Sequence, residues 1–322
     1  MNDAPYTISS TVVKNGILHL LLAPDTGSVF HFSAGQYATL RFKEGRGTSF
    51  ERSFSITSSP LTKTQLEFGI RVMGSYTRQL AALKQGDTVW VRGPYGSFTF
   101  NPIRDLDLVF IAGGIGITPF LSMLRMISDT GLRSRVTLLY SNKKLDETPF
   151  LAPIQQLANQ LPNLKIHYFV TDETASQKQQ QNVHYQRLDR AWLAANLKPS
   201  TDQSFFVCGP SGFMDATREN LIALNIPEEL IHQEDFSFAP PKIRKSDILF
   251  YLGGLSAATV ITILLLVTVY RTEAAKTAAK QLAETVTPTS AQTTSQTTSP
   301  NPSKPSITQT PAPIVQPTTA VS

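Results

Sequence analysis

Short runs of alternating apolar and polar residues dominate the first hundred positions of the chain. Examples are Tyr37 to Phe42, Leu66 to Val72 and Thr88 to Arg92, and turns containing Gly or Pro separate them. A period of two is typical of strands with one buried face, and short strands divided by turns are typical of a barrel or sandwich. We therefore predict an antiparallel β-barrel domain over residues 1–103.

A continuous apolar run then replaces the alternation. Leu108 to Ala112 contains no polar residue, which predicts a buried parallel strand. Three glycines follow at 113, 114 and 116, and Pro119 to Ile127 has the composition of a helix with Pro119 in its first turn. This change predicts a second domain with a parallel sheet and helices, an α/β domain, over residues 104–238.

The strand, glycine-rich turn and helix N-terminus together suit an anion. Glycines let the backbone approach phosphates, while the free N–H groups and the helix dipole face them. The spacing differs from the standard G-x-G-x-x-G dinucleotide fingerprint, because Pro119 occupies the third glycine position. Taken alone, the segment fits a tight strand-to-helix turn of any α/β domain equally well.

Two segments of the predicted barrel also suit phosphate. On a strand, Arg52 and Phe54 share one face, and Ser53 and Ser55 share the other. A guanidinium for a diphosphate, an aromatic ring and small hydroxyls are what a flavin nucleotide requires. The segment from Gly74 to Thr77 ends a strand and opens a predicted helix at Thr77, a second place for phosphate oxygens. A surface arginine and an ordinary helix cap are the simpler interpretations.

In this order the segments resemble the ferredoxin–NADP reductase superfamily, which includes flavodoxin reductases, cytochrome reductases and oxygenase reductase modules. The likeness covers residues 5–238 and extends to Cys208-Gly209-Pro210 and to Glu234-Asp235-Phe236. It implies an FAD-binding antiparallel barrel, a parallel α/β nicotinamide domain, and an FAD-dependent NAD(P)H oxidoreductase. The family's G-x-x-[ST] motif falls on Gly74 and Thr77, which favours FAD over FMN.

The resemblance also implies residue roles. Arg52 would hold the FAD diphosphate, Phe54 would lie beside the ribityl region, and Ser55 would hydrogen-bond near flavin N5. Thr118 and Cys208 would approach the nicotinamide. The cofactor-binding set is Arg52, Ser53, Phe54, Ser55, Gly74, Ser75, Tyr76, Thr77, Gly113, Gly114, Gly116, Thr118, Pro119, Cys208, Gly209, Pro210 and Phe236. The catalytic set is Ser55, Cys208 and Glu234.

The numbers and spacing of the cysteine and histidine residues restrict the metal groups that the chain could bind. The chain has 1 cysteine, whereas a thiolate-held iron–sulfur cluster needs about four. The 5 histidines lack metal-ligand spacing, so no metal is expected. The formal net charge of +5 is too small to indicate nucleic acid, and it is compatible with an acidic electron carrier.

Charged residues after two successive predicted strands give opposite indications of a preference for NADH or NADPH. Lys143 and Lys144 follow the second predicted strand of the α/β domain and could meet a 2′-phosphate. Asp172 and Glu173 follow the next strand, where NADPH-preferring plant-type members carry a serine–arginine pair. The balance favours NADH slightly.

The C-terminal part departs from soluble family members. Residues 239–247 have the composition of a linker, and Ile248 to Tyr270 contains no charged residue, a length that spans a bilayer as a helix. Residues 271–322 begin as an Ala-rich helix and continue as a Thr/Ser/Pro-rich tail predicted to be disordered. The flanking Lys and Arg residues balance, so orientation follows from cofactor supply: catalytic domains in the cytoplasm and the tail outside.

The sequence therefore predicts a membrane-anchored reductase that takes a hydride from NAD(P)H onto FAD and passes electrons to ferredoxin, flavodoxin or a cytochrome. One alternative is a diaphorase that feeds a membrane redox partner, a haem-bearing ferric reductase or a quinone. Another, from a different class, is a membrane-anchored flavin redox sensor with little turnover. No short motif identifies the acceptor.

Overall fold

The computed structural model describes residues 3–45, 47–172, 181–197, 203–234 and 264–277. The chain divides into two compact units, Met1–Ala239 and Pro240–Ser322. The described part of the second unit, residues 264–277, is a helix. Within the described ranges, no helix has both the length and the apolar character needed to cross a membrane. Several predicted features lie outside the described residues: the linker, positions 248–263 of the span, the Thr/Ser/Pro-rich tail, Glu173, Asp235 and Phe236.

An antiparallel barrel forms the first half of the Met1–Ala239 unit, as predicted. Its described strands are β1 (Ala4–Lys14), β2 (Ile17–Pro24), β3 (Tyr37–Glu44), β4 (Gly47–Thr48), β5 (Arg52–Ser55), β6 (Leu66–Arg71) and β7 (Thr88–Tyr95), with helix α1 (Gly74–Ala82) before β7. The strand order is β4-β3-β7-β1-β2-β6, and β5 pairs with β3. A bridge between Ile56 and Phe68 joins the segment after β5 to β6 and closes the barrel. Alternation along β3 turns Ala38, Leu40 and Phe42 into the core.

A parallel sheet covered on both faces forms the second half. Its described elements are β8 (Asp107–Gly113), α2 (Thr118–Thr130), β9 (Arg135–Asn142), α3 (Leu151–Gln160), β10 (Leu164–Val170), β11 (Val183–His184), α4 (Arg190–Asn196), β12 (Gln203–Cys208), α5 (Ser211–Ile222) and β13 (Ile231–Glu234). Successive residues of β8 enter opposite cores: Phe110 packs with Phe120 of α2, while Ile111 packs with Met214 of α5. Burial on both faces explains the unbroken apolar run.

The order of the parallel strands fixes where a ligand can bind. It is β11-β10-β9-β8-β12-β13, so the chain leaves β8 toward one edge of the sheet and returns to the other side of β8 as β12. In open sheets of this kind, ligands bind outside the carboxyl ends of the strands at the point where the direction reverses. Those two ends are Gly113 and Cys208.

Helix α2 rests directly on the barrel. The Ser122 hydroxyl donates to the Ser58 carbonyl at 2.7 Å. The Arg125 guanidinium donates to the Thr57 carbonyl at 2.7 Å and to the two carboxylate oxygens of Glu67 at 2.6 and 3.3 Å. Because these donors lie on the helix that follows the glycine turn, the barrel and the turn are held together.

Helix α1 begins earlier than the sequence indicated. The sequence predicts its start at Thr77, whereas it starts at Gly74. The Thr77 hydroxyl accepts from the Met73 N–H at 2.7 Å and donates to the Met73 carbonyl, which closes a turn before the predicted start. Gly74 has φ +81°, a conformation that favours glycine, at the point where the chain turns into the helix.

Candidate functional site

Strand β5 and helix α1 meet around Tyr76. The Tyr76 hydroxyl donates to the Leu40 carbonyl at 2.5 Å, which ties α1 to β3. The Phe54 ring stacks on the Tyr76 ring at a centroid distance of 6.1 Å, and the Arg52 guanidinium carbon lies 5.9 Å from the same ring. Arg52 and Phe54 therefore share a face, as alternation predicted. The fold brings together two motifs that are about twenty residues apart in the sequence.

The two serines of β5 lie in different surroundings. Ser55 is buried and pairs with Tyr37 in the β3–β5 register. Ser53, which is half-buried, pairs with Thr39. In the first turn of α1, Gly74 and Ser75 are exposed, while the Thr77 hydroxyl is already bonded to Met73. This N-terminus therefore offers anions backbone N–H groups, because the Thr77 side chain points back into the turn.

The glycine turn after β8 is packed against the loop after β12. A Cβ on Gly116 would lie 2.3 Å from the Cys208 carbonyl oxygen and 2.6 Å from the Gly209 nitrogen. A Cβ on Gly113 or on Gly209 would each come within 2.8 Å of the Phe213 ring. The two loops thus touch through backbone alone, which requires glycine at these positions. Both motifs that the sequence singled out lie at the point where the strand order reverses.

Helix α2 opens at Thr118 with Pro119 in its first turn, as the sequence predicts. The Thr118 hydroxyl donates to the Ile115 carbonyl at 3.0 Å, and its side chain is buried. The Cys208 side chain is also buried, whereas Pro210 is exposed before α5. The first turns of α2 and α5 therefore lie beside the carboxyl ends of β8 and β12.

Glu234 ends β13 beside Cys208, its partner in the β12–β13 register. Its side chain is 8% exposed, and its Oε2 atom has no hydrogen-bond partner among the described residues. Oε1 lies 3.2 Å from the position of a Cβ on Gly96, just beyond β7 of the barrel. Burial raises the pKa of Glu234 to about 8, because desolvation disfavours the carboxylate. The Glu234 carboxyl group thus lies at the end of the sheet against the Gly96 segment of the barrel, and its raised pKa favours the uncharged form at neutral pH.

Sequence reasoning missed Arg71, the last residue of β6. Its Nη2 atom lies 3.6 Å from the position that a Cβ on Gly114 would take, although the two residues belong to different domains. An exposed barrel cation therefore stands beside the glycine turn. Its position in the sequence could have identified it, because Arg71 is a basic residue at the end of a strand directly before the Gly74 segment.

The residues considered for nucleotide preference lie at the ends of β9 and β10. The Lys144 ammonium pairs with the Glu147 carboxylate at 2.7 Å. The Asp172 N–H donates to the Lys143 carbonyl at 2.9 Å, which fixes the two strand ends side by side. Lys144 already has a carboxylate partner, so it offers less charge to a phosphate.

Comparison with known proteins agrees with this division of the chain. Residues 5–100 match the oxidoreductase FAD-binding domain, and residues 110–219 match the oxidoreductase NAD-binding domain. A flavohemoprotein of Chromobacterium violaceum is 30% identical over 250 residues, 73% of this chain and 61% of that protein. The ferredoxin reductase component of 3-ketosteroid-9-alpha-monooxygenase from Mycobacterium tuberculosis is 31% identical over 210 residues, 64% of this chain and 55% of that one. The chain spans little more than half the length of these relatives.

Solved structures show the same fold. The FAD/NAD-binding domain of nitric oxide dioxygenase from Vibrio cholerae superposes with a TM-score of 0.64 at 24% identity, covering 73% of this chain and 98% of that one. A ferredoxin NADP+ reductase from Neisseria gonorrhoeae, with bound FAD and NADP, gives 0.63 at 20% identity, covering 74% and 100%. Two matched domains in this order, with this fold, show that the chain belongs to the ferredoxin–NADP reductase-like superfamily of FAD-dependent NAD(P)H oxidoreductases.

Proposed function

We propose that the protein is a membrane-anchored reductase that passes a hydride from NAD(P)H to FAD and then delivers electrons to a carrier protein such as ferredoxin, flavodoxin or a cytochrome. The observation that carries the proposal is the backbone contact between Gly116 and the Cys208–Gly209 loop at the reversal point of the sheet. The contact lies where the strand order reverses, the usual ligand position of such sheets, and the barrel carries Arg52, Phe54 and Tyr76 as the residues proposed to hold FAD. Relatives named as reductase components of monooxygenases support delivery to a partner.

The barrel residues fit an FAD nucleotide. The Arg52 guanidinium and the exposed first turn of α1 supply charge and N–H donors for a diphosphate. Phe54 and Tyr76 form an aromatic surface beside them, and the buried Ser55 hydroxyl is assigned to flavin N5. When bound, FAD supplies the acceptor for the hydride.

The α/β residues fit the nicotinamide nucleotide. The glycine turn and the N-terminus of α2 would hold its diphosphate, with Arg71 contributing positive charge from the barrel. Thr118 and Cys208 would flank the nicotinamide. Glu234, neutral at pH 7, would donate a hydrogen bond or a proton at the gap between barrel and sheet. The pairing of Lys144 with Glu147, and the acidic Asp172 beside it, favour NADH.

The membrane anchor is assigned to residues 248–270 on their uncharged composition. We expect the full-length chain to stay in the membrane fraction after alkaline carbonate washing, whereas a chain ending at Pro241 should be released. Release of the full-length chain by the same wash would contradict the anchor. A catalytic part that is cytoplasmic should also be digested by protease in inside-out vesicles and protected in right-side-out vesicles.

Turnover distinguishes an enzyme from a sensor. The wild-type protein should oxidise NAD(P)H continuously with an artificial electron acceptor.

Gly116→Ala should raise KM for the nucleotide about tenfold or more at unchanged flavin content, because the new Cβ forces the two loops apart. Gly47→Ala, in β4 at the edge of the barrel sheet, is the matched control, since its Cβ would meet only the Glu44 carbonyl oxygen, at 4.0 Å. No turnover by the wild type would support the sensor, and equal KM values for the two variants would contradict the nucleotide site.

Arg52→Ala tests the flavin site. Loss of a charge-assisted contact of about 1.5–3 kcal/mol should weaken FAD binding roughly 10- to 100-fold. The measurement is flavin content after gel filtration, followed by titration of FAD into the flavin-free protein. Arg133→Ala, an exposed arginine of the α/β domain, should retain wild-type affinity. Unchanged FAD affinity in Arg52→Ala would contradict the assignment.

Glu234 predicts a pH dependence of stability. The folded state holds the proton more tightly than the unfolded state, because the pKa rises from 4.5 to about 8. Stability should therefore fall as the pH rises from about 4.5 to about 8 and then level off, and the total loss should be about 5 kcal/mol at most. In Glu234→Gln this decline should disappear, as measured by denaturant unfolding of the flavin-free protein across that range. Parallel curves for the two proteins would contradict a buried neutral carboxyl.

A further inference from the structure

Phe150 has an unusual backbone conformation for an aromatic residue. It precedes helix α3 with φ 56° and ψ 25°, in the left-handed region. Its carbonyl accepts the first bond of that helix, from the Ile154 N–H at 3.0 Å, and its ring is buried. Bulky residues rarely adopt this conformation, which costs of order 1–3 kcal/mol, and such strain is concentrated at functional sites.

The Phe150 ring fits into a socket on the barrel. A Cβ on Gly69 would lie 2.3 Å from its Cζ atom and 2.5 Å from its Cε2 atom. The His19 ring packs against Phe150 at a centroid distance of 4.6 Å and an angle of 58°. Gly69 and His19 are directly paired on β6 and β2, so glycine and imidazole form the floor and wall of one recess. A side chain of the α/β domain thus fills a hole in the barrel surface.

The same segment is tied to the glycine turn. The Thr118 Cγ2 atom lies 3.1 Å from the position of the Gly69 Cβ, so Thr118 and Phe150 crowd one point of the barrel. The fully buried Tyr140 hydroxyl lies 2.9 Å from the Pro149 carbonyl and 3.0 Å from the Gly114 carbonyl. These contacts connect the Phe150 segment to both ends of the turn.

A further hydrogen bond fixes the segment that precedes Phe150. The Asn15 side-chain amide, in the turn between β1 and β2, donates to the Asp146 carbonyl at 3.2 Å. The segment from Asp146 to Phe150 is thus fixed to the barrel at both ends. On the other side of the sheet, Phe169 is equally buried among residues of the α/β domain alone.

We propose that Phe150 is a positioning residue that sets the separation between the flavin on the barrel and the nicotinamide held by the glycine turn. This inference rests on the proposed function. Hydride transfer requires reacting atoms about 3–3.5 Å apart, and a misplacement of 1 Å can cost about a hundredfold in rate. The Phe150 ring is buried in a recess of the barrel, and its backbone is held in a strained conformation. It can therefore act as a rigid spacer, which the narrow range of reacting distances requires.

The test compares Phe150→Ala with Phe169→Ala in the full-length, flavin-loaded protein. Anaerobic stopped-flow reduction by NADH or NADPH separates the limiting rate from the nucleotide dissociation constant. Phe150→Ala should lower the limiting rate roughly 10- to 100-fold with little change in the dissociation constant. Gly69→Ala, which expels the ring without altering it, should have the same signature, and Phe150→Leu should recover part of the rate. Phe169→Ala should reduce at the wild-type rate.

Hydrogen exchange provides a readout that does not depend on catalysis. Amides of β6 around Gly69 should exchange faster in Phe150→Ala than in Phe169→Ala. Wild-type limiting rates in Phe150→Ala, or equal losses in both variants, would overturn the proposal. If the wild-type flavin were not reduced by either nucleotide, the proposed function would fail, and the exchange data would still decide whether Phe150 couples the domains.

Discussion

The backbone contact between Gly116 and Cys208 is the constraint on which the candidate site depends. It exists because β8 and β12 are neighbours that the chain visits before and after building the other half of the sheet. A Cβ at Gly116 would lie 2.3 Å from the Cys208 carbonyl oxygen, so no other residue allows the loops to meet in this way. The contact joins two motifs about ninety residues apart and directs the first turns of α2 and α5 toward the same crevice.

The barrel is the second part of the site. Its strand β6 delivers Arg71 beside Gly114, and Gly96 beyond β7 lies against Glu234. Because the Glu234 side chain is buried, its pKa is raised to about 8, which favours the uncharged carboxyl group at neutral pH. Arg71, by contrast, is exposed, and its guanidinium lies beside the glycine turn.

Local patterns predicted the elements and located the two turns proposed to bind phosphate, because alternation, an unbroken apolar run and clustered glycines are properties of short segments. The residues through which one domain contacts the other could not be predicted from such local patterns. Arg71 and Phe150 act on Gly114 and Gly69, partners distant in sequence, and the left-handed conformation of Phe150 has no sequence signature. The early start of α1 depends on how the Thr77 hydroxyl turns back to Met73. The raised pKa of Glu234 follows from burial, which a pattern of residue types does not record.

The most direct test of the account is the visible spectrum of the FAD-loaded protein during anaerobic titration with NADH, and separately with NADPH. The account predicts flavin absorption bands that bleach with about one equivalent of nucleotide, with NADH acting at the lower concentration. Bands that persist with both nucleotides would contradict hydride transfer. A protein that takes up no flavin when FAD is supplied would contradict the flavin site itself.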